Sequence, residues 1–178
     1  ILSSVMQFSM LPLQGLTQGA QPIVSFNYGA GNLHRVKRTF SLLLCACLVY
    51  STTLWAISMF APQLFVYIFT DTPALRDYSI WALRIYMAAS LLFGIQIACQ
   101  QTFIALGNAK ASVFLALLRK VILLIPLIYI LPQFFSDQAM AVFLAEPIAD
   151  FCAVCVTGTT FFFSFRKLMR TMQTKQQT

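Results

Sequence analysis

Ten of the twelve basic residues of this chain fall into three clusters, and two long apolar stretches separate each cluster from the next. The clusters are Arg35, Lys37 and Arg38; Lys110, Arg119 and Lys120; and Arg166, Lys167, Arg170 and Lys175. This spacing returns the chain to the same side of a membrane after every pair of crossings. Because Lys and Arg accumulate in short loops on the cytoplasmic side of a bilayer, the pattern predicts both the spans and their orientation.

The composition favours a membrane protein over a soluble domain. Hydrophobic residues make up 59% of the 178 residues and charged residues only 10%, whereas soluble domains carry roughly 25% charged residues. The net charge of +7 does not indicate nucleic-acid binding, because the basic residues flank apolar spans and do not share one soluble face with stacking aromatics. We therefore expect an all-α, polytopic helix bundle in the lipid bilayer, with no nucleic acid as partner.

Five predicted spans account for most of the chain, since about 20 mostly apolar residues cross a bilayer as a helix. They cover about residues 1–27, 39–61, 74–106, 109–131 and 139–165, and a polar tail follows over 166–178. Ten of the twelve basic residues then lie at or near the inner side, which leaves Arg76 and Arg84 outside. We predict a multi-pass protein of the cell (inner or plasma) membrane with a cytoplasmic carboxyl terminus. Because the chain starts within a hydrophobic run at Ile1, we expect it to be the carboxyl-terminal part of a longer membrane protein.

Glu146 and Asp150 are the acidic residues that fall deep inside a predicted span. Four residues apart, they share one helix face. A carboxylate near the bilayer midplane is costly unless it is protonated, paired or hydrated, so we expect both groups to face the bundle interior or a water-filled path. There they could attract a cation or take up and release a proton. The alternative is that they only bind neighbouring helices, through Arg84, Arg119 or backbone amides.

Other polar residues inside the spans also have two interpretations. Gln96 and Gln100 share a face of the third span, where amides either line a cavity or form hydrogen bonds between helices. Four glutamines of the first span lie on one stripe: Gln7, Gln14, Gln18 and Gln21. In the fourth span we expect an interior contact for Arg119 and an extension of Lys120 towards the inner interface.

The sequence contains no arrangement of residues that indicates catalysis. There is no phosphate-binding Gly-Lys motif, no His/Glu metal spacing and no Ser beside a base. The pair Cys152 and Cys155 has a metal or redox spacing, but it lacks a second ligand pair. We therefore expect a protein that is not an enzyme and that holds no metal or cofactor.

Several stretches resemble the multidrug and toxic compound extrusion (MATE) family. They are residues 18–32 (QGAQPIVSFNYGAGN) followed by Arg35-Val-Lys-Arg38, then Ala105-Leu-Gly-Asn-Ala-Lys110, Leu118-Arg-Lys120 with Ile125-Pro126, and Glu146-Pro-Ile-Ala-Asp150. The resemblance keeps the family's order over essentially the whole chain. It implies that the five spans correspond to helices eight to twelve, in the carboxyl-terminal lobe of a twelve-helix, two-lobe secondary transporter. Such a transporter would export cationic, amphipathic compounds in exchange for H⁺ or Na⁺, and its partner here would be the missing amino-terminal lobe.

The chain departs from the family pattern in its third span. Some members place a cation-site Asp in the tenth helix, yet here no acidic residue lies between Asp77 and the end of that span. The coupling acids are then either Glu146 and Asp150 or groups in the missing lobe. The candidate substrate- or ion-binding residues are Glu146, Asp150, Gln96, Gln100, Gln21, Asn27 and Arg119. Two other functions remain open: a flippase of lipid-linked sugars from the same superfamily, and a membrane assembly module without transport activity.

Overall fold

The computed structural model describes residues 2–69, 73–134 and 138–177, and within them the chain is helical apart from short turns. The α-helices are α1 (Leu2–Gly29), α2 (Leu33–Phe60), α3 (Pro62–Phe69), α4 (Pro73–Tyr86), α5 (Ser90–Ala105), α6 (Ala109–Leu117), α7 (Ile125–Ile130) and α8 (Gln138–Gln177). A π-helical segment, Leu118–Leu124, joins α6 to α7, and a 3₁₀ turn, Leu131–Gln133, follows α7. The predicted all-α helix bundle is confirmed.

Three helical stretches of the described residues are long and apolar enough to cross a membrane, namely Leu33–Phe60, Lys110–Gln133 and Met140–Thr171. A fourth crossing is possible if the bent pair Ser79–Tyr86 and Ser90–Ala105 counts as one span. The first predicted span is helical as α1, but it is not among these apolar stretches. It carries the stripe of glutamines, which lowers its hydropathy. The exact bounds of the five membrane spans stay predictions.

The third predicted span is not one straight helix. A turn over residues 87–89 separates α4 from α5, and the two helices meet at an angle of 42°. The turn is closed by hydrogen bonds from the backbone N–H of Met87 to Leu83 O (2.8 Å) and of Ser90 to Met87 O (3.0 Å). Because no proline or glycine lies at residues 87–89, the sequence carries no usual helix breaker at this place.

Helix α8 continues through the predicted polar tail. It runs for 40 residues, from Gln138 to Gln177, whereas the apolar pattern predicts that the span ends at residue 165. The segment beyond Phe165 contains Arg, Lys, Leu, Met and Gln but no Gly or Pro. These residues favour a helix, so nothing local ends it where the apolar pattern ends.

Two turns of the same kind connect α1 to α2 and α5 to α6. Gly31 (φ 74°) and Gly107 (φ 78°) have left-handed backbone conformations. In each turn the N–H of the following Asn bonds to the carbonyl five residues earlier: Asn32 to Asn27 (2.8 Å) and Asn108 to Phe103 (2.9 Å). This is the Schellman arrangement, in which a glycine allows the last helical carbonyls to be satisfied.

Helices α2 and α5 approach each other closely at Gly94. A Cβ atom on Gly94 would lie 2.6 Å from the Cys47 carbonyl oxygen and 2.7 Å from Ser51 Oγ. The Ser51 hydroxyl donates across this contact to Leu91 O (3.1 Å). Small residues and interhelical hydroxyl bonds are what helix packing in membranes relies on, because lipid supplies little hydrophobic driving force between helices.

Most of the basic residues lie near one end of the bundle, but Arg119 and Lys120 of the second cluster lie farther in, beside Asp150 and Glu146. Val24, Leu33, Val36, Ala105, Leu106 and Met169 form one buried cluster at that end. Its members come from the end of α1, the start of α2, the end of α5 and the last turns of α8. These segments adjoin Arg35, Lys110 and Arg166 in the sequence. The packing agrees with the predicted grouping for these segments but not for Arg119 and Lys120, which pair with acids in the first third of α8. The cytoplasmic location of this end stays a prediction.

Candidate functional site

Arg119 and Asp150 form a buried ion pair between the fourth predicted span and α8. Arg119 Nε donates a hydrogen bond to Asp150 Oδ1 at 2.5 Å, and the Asp150 side chain is only 1% exposed. The guanidinium carbon of Arg119 also lies 5.7 Å from the centre of the Phe93 ring on α5, within reach of a cation–π interaction. Asp150 therefore faces the helix bundle and not the lipid, as expected for a carboxylate deep in a span.

Glu146 extends this pair into a network of four charged groups. Its Oε1 lies 3.9 Å from Arg119 Nη2 and 3.4 Å from Lys120 Nζ. The Glu146 side chain is 12% exposed, whereas the Lys120 side chain is 56% exposed. The sequence predicts that Lys120 extends towards the inner interface. The structure instead directs its ammonium to Glu146, because the carboxylate provides a partner at the same depth.

The π-helical segment explains how two consecutive residues reach the same pair of acids. In an α-helix adjacent side chains point about 100° apart, but a helix with i→i+5 bonds has more residues per turn, so adjacent side chains point in more similar directions. Arg119 and Lys120 both lie in Leu118–Leu124. Pro126 follows at once and has no N–H to donate to the carbonyl four residues earlier, which disfavours regular α-helical bonding in this stretch. Single π-helical turns are frequent at functional sites.

A cavity of about 480 Å³ adjoins the exposed side of this network. Its lining includes Lys120 and Glu146, and from α1 the side chains of Met6, Gln7, Met10 and Gln14. Tyr86, at the end of α4, closes another side. Gln7 and Gln14 are exposed, so the cavity opens to the surface of this chain. Its volume is in the range of small-molecule sites, which are roughly 300–1,000 Å³ and combine apolar walls with a few polar groups.

The structure brings together three of the seven predicted binding residues: Glu146, Asp150 and Arg119. Gln96 is buried on α5, and the Gln100 amide donates to Ser112 O at 3.4 Å and links α5 to α6. Asn27 donates to Ile23 O within α1 (2.8 Å), and Gln21 lies half-buried on the same helix. In the part of the chain that the structure describes, none of these four amides lines the cavity beside Lys120. Their role in binding stays a prediction.

Residues that were not among the predicted binding residues also belong to this site. Lys120 completes the charged network, Phe93 lies beneath Arg119, and Met6 and Met10 form the apolar wall of the cavity. The glutamine stripe did predict a polar face on α1, and Gln7 and Gln14 belong to it. Arg84, the other cation considered as a partner of the acids, lines a different and mainly apolar pocket with Pro147 and Phe151.

The charges of the network balance when all four groups are ionised. Two cations, Arg119 and Lys120, face two carboxylates, Glu146 and Asp150. The Arg119–Asp150 pair is buried and hydrogen-bonded. The Lys120–Glu146 pair lies at the cavity, and its lysine side chain is about half exposed. Asp150 Oδ2 and Arg119 Nη2 are buried and make no hydrogen bond to any described residue. The inner pair therefore joins the fourth predicted span to α8, and the outer pair lies at the cavity.

Comparisons of the sequence and of the structure with known proteins agree on one family. The sequence model of the family described as MatE matches residues 1–130 of this chain. The multidrug export protein MepA of Staphylococcus haemolyticus is 22% identical over 154 residues, which are 85% of this chain and 34% of that protein. MepA of Staphylococcus saprophyticus is 21% identical over a stretch of the same length. The chain thus spans about a third of the length of the curated relatives it matches.

Solved structures share the fold. The MATE multidrug transporter DinF-BH, solved in complex with rhodamine 6G, superposes with a TM-score of 0.82 at 32% identity over 93% of this chain and 36% of that protein. A MATE structure in the bent conformation superposes with a TM-score of 0.88 at 18% identity, over 97% of this chain and 38% of its own. An inward-facing MATE family transporter gives a TM-score of 0.85 at 18% identity, over 96% of this chain and 39% of its own. The last two support the fold alone.

Proposed function

Because the chain belongs to the MatE family, we propose that the protein containing it is a secondary active multidrug exporter of the cell membrane. In this proposal the chain is the carboxyl-terminal lobe, and a second lobe completes the pathway. The substrates are cationic, amphipathic compounds, and export is driven by exchange for H⁺ or Na⁺. The carboxyl terminus lies in the cytoplasm, at the end of the bundle that adjoins Arg35, Lys110 and Arg166.

The observation that carries this proposal is the charged network beside an open, partly apolar cavity. Glu146 presents a carboxylate to the cavity, and Met6 and Met10 present flexible apolar side chains. Methionine adapts to ligands of different shape, and a carboxylate provides attraction for a positive charge. A site of this composition suits compounds that combine an aromatic body with a cationic group.

Asp150 and Glu146 are the candidate groups for ion coupling within this lobe. Both can exist with or without a proton, and both have cationic partners that a change of charge would release or recruit. A proton or Na⁺ that binds at this network would therefore change the contacts between α8 and the π-helical segment. Such a change is a physical route by which ion binding could shift the equilibrium between two conformations.

A second candidate function is favoured by Arg119 and Lys120. Two cations beside a cavity can bind phosphate groups, so a flippase of lipid-linked sugars remains an alternative. The exporter is preferred because each of these cations already faces a carboxylate in the structure. A phosphate would have to compete with that carboxylate.

Transport by the full-length protein in proteoliposomes tests the proposal. We expect the wild-type protein to move rhodamine 6G against its gradient when a pH or Na⁺ gradient is imposed, and we expect Asp150→Asn and Glu146→Gln to lose most of this transport. Asp137→Asn, a matched carboxylate-to-amide change outside the described residues, serves as control. Wild-type transport by both site variants would remove these acids from the coupling mechanism. Absence of gradient-driven transport in the wild type would contradict the exporter itself.

A further inference from the structure

The two ion pairs of the network differ in burial and in distance. The Arg119–Asp150 contact is a hydrogen bond of 2.5 Å with side chains that are 18% and 1% exposed. The Lys120–Glu146 contact is 3.4 Å, with a lysine that is 56% exposed. A lysine ammonium on a flexible stem is a mobile point charge, whereas an arginine guanidinium holds a fixed geometry. The lysine is therefore the partner that can leave its carboxylate at little cost.

Lys120 and Glu146 both line the cavity of about 480 Å³. The arginine is held on the inner side of Glu146 by Asp150 and by the Phe93 ring. A cation that enters the cavity from its open side meets Glu146 at the position that the Lys120 ammonium occupies. Two cations cannot both take that position, because like charges within a few ångströms repel in a poorly hydrated place.

We propose that Lys120 is a tethered competitor of the cationic substrate: it neutralises Glu146 in the empty cavity and is displaced from it when an amphipathic cation binds. This inference rests on the proposed function and adds a specificity-determining residue to it. In the empty state the lysine keeps the carboxylate paired. In the bound state the substrate takes over that pairing, and the lysine turns towards the open side of the cavity.

Removal of Lys120 should make a cation bind more tightly at this cavity, and this effect should depend on Glu146. Loss of a nearby positive charge favours a cation in any site through the general field, so the dependence on Glu146 is what distinguishes competition. An exposed ion pair contributes about 0.2–1 kcal/mol. Relief from that competition corresponds to roughly 1.4- to fivefold tighter binding.

Fluorescence anisotropy of rhodamine 6G with the purified full-length protein in detergent tests this inference. We expect Lys120→Gln to lower the Kd by roughly 1.4- to fivefold and Lys120→Arg to raise it, because a guanidinium of fixed geometry holds Glu146 more firmly than an ammonium does. Lys110→Gln removes the same net charge from an exposed lysine that does not line this cavity. It should therefore leave the Kd unchanged.

A double variant identifies the partner of the competition. With Glu146→Gln already present, Lys120→Gln should no longer tighten binding, because the lysine then has no carboxylate to occupy. Unchanged or weaker binding by Lys120→Gln, or equal tightening by Lys110→Gln, would overturn the inference while leaving the exporter proposal intact. A wild-type protein that does not bind the dye would overturn both.

Discussion

Arg119 Nε donates to Asp150 Oδ1 across 31 positions of the sequence, from the π-helical segment to the first third of α8. The carboxylate is almost fully buried, and Phe93 of α5 lies against the guanidinium. One charged contact therefore fixes the relative positions of three helical elements. Without Arg119, the Asp150 carboxylate would be an unpaired negative charge deep in an apolar bundle.

Replacement of Arg119 by Ala should strongly destabilise the protein. The change leaves the Asp150 carboxylate buried without its cation, and breaking a buried pair from one side costs about 3–5 kcal/mol. We expect a clear fall in Tm for Arg119→Ala, measured by intrinsic tryptophan fluorescence of the detergent-purified protein at one fixed scan rate, because unfolding of such proteins is often irreversible.

The double variant Arg119→Met/Asp150→Leu provides the control for that prediction. It removes both charges and keeps apolar side chains of similar length, so most of the lost Tm should return. If the double variant is as unstable as Arg119→Ala alone, the instability comes from lost packing of the arginine stem and not from the unpaired carboxylate.

Gly94→Ala should weaken the packing of α2 against α5. The added methyl group would meet the backbone carbonyl of Cys47 at 2.6 Å, and a backbone atom cannot move aside as the end of a side chain can. Overpacking of this kind costs about 1–3 kcal/mol, which should appear as a lower Tm. Gly158→Ala is the matched control, since nothing lies within 4 Å of its added Cβ. An equal loss for both variants would contradict the close approach.

The sequence predicted much of this arrangement because the membrane imposes simple rules on it. The apolar runs predicted an all-α helix bundle. The first and third basic clusters adjoin one of its ends, whereas Arg119 and Lys120 lie deeper in the bundle. The spacing of Glu146 and Asp150 predicted a shared interior face. These features follow from the free-energy cost of placing polar groups in lipid. That cost depends on the type of each residue, so it can be judged from the sequence.

Other features depend on contacts between distant residues, and a single sequence does not contain them. The turn at residues 87–89 contains no proline or glycine from which it could be predicted. Pro126 disfavours regular α-helical bonding in the residues before it, but the sequence does not show that Lys120 then reaches Glu146, 26 positions along the chain. The continuation of α8 beyond Phe165 reflects helix propensity in a polar segment, which an apolar pattern does not detect.

Gly107→Ala should strain the turn between α5 and α6. Gly107 has a φ of 78°, and a side chain in the left-handed region costs about 1–2 kcal/mol. Nothing lies within 4 Å of the added Cβ, so the cost comes from the backbone and not from a clash. We expect a moderate loss of Tm for Gly107→Ala and a smaller loss for Gly107→Asn, because Asn tolerates this conformation better. Equal losses would indicate that the turn needs the absence of a side chain for another reason.

Phe161 and Phe162 are neighbours on α8 with opposite environments, and they provide the sharpest test of the packing. Phe161 is 4% exposed and lies 4.7 Å from the ring of Phe40 and 5.0 Å from that of Phe103, centre to centre. Phe162 is 59% exposed.

A truncated Phe161 leaves a cavity that the surrounding helices cannot fill, whereas lipid fills the space beside a truncated Phe162. Moving an apolar side chain from the helix bundle into lipid changes the free energy little. The cost of truncating Phe161 is therefore mostly the loss of its packing contacts. We therefore expect Phe161→Ala to destabilise by about 3 kcal/mol, near the lower end of the values for buried phenylalanines in water, and Phe162→Ala to leave the Tm almost unchanged. The two Tm values, measured in the same detergent, decide the matter: similar losses would mean that the assigned faces of α8 are wrong.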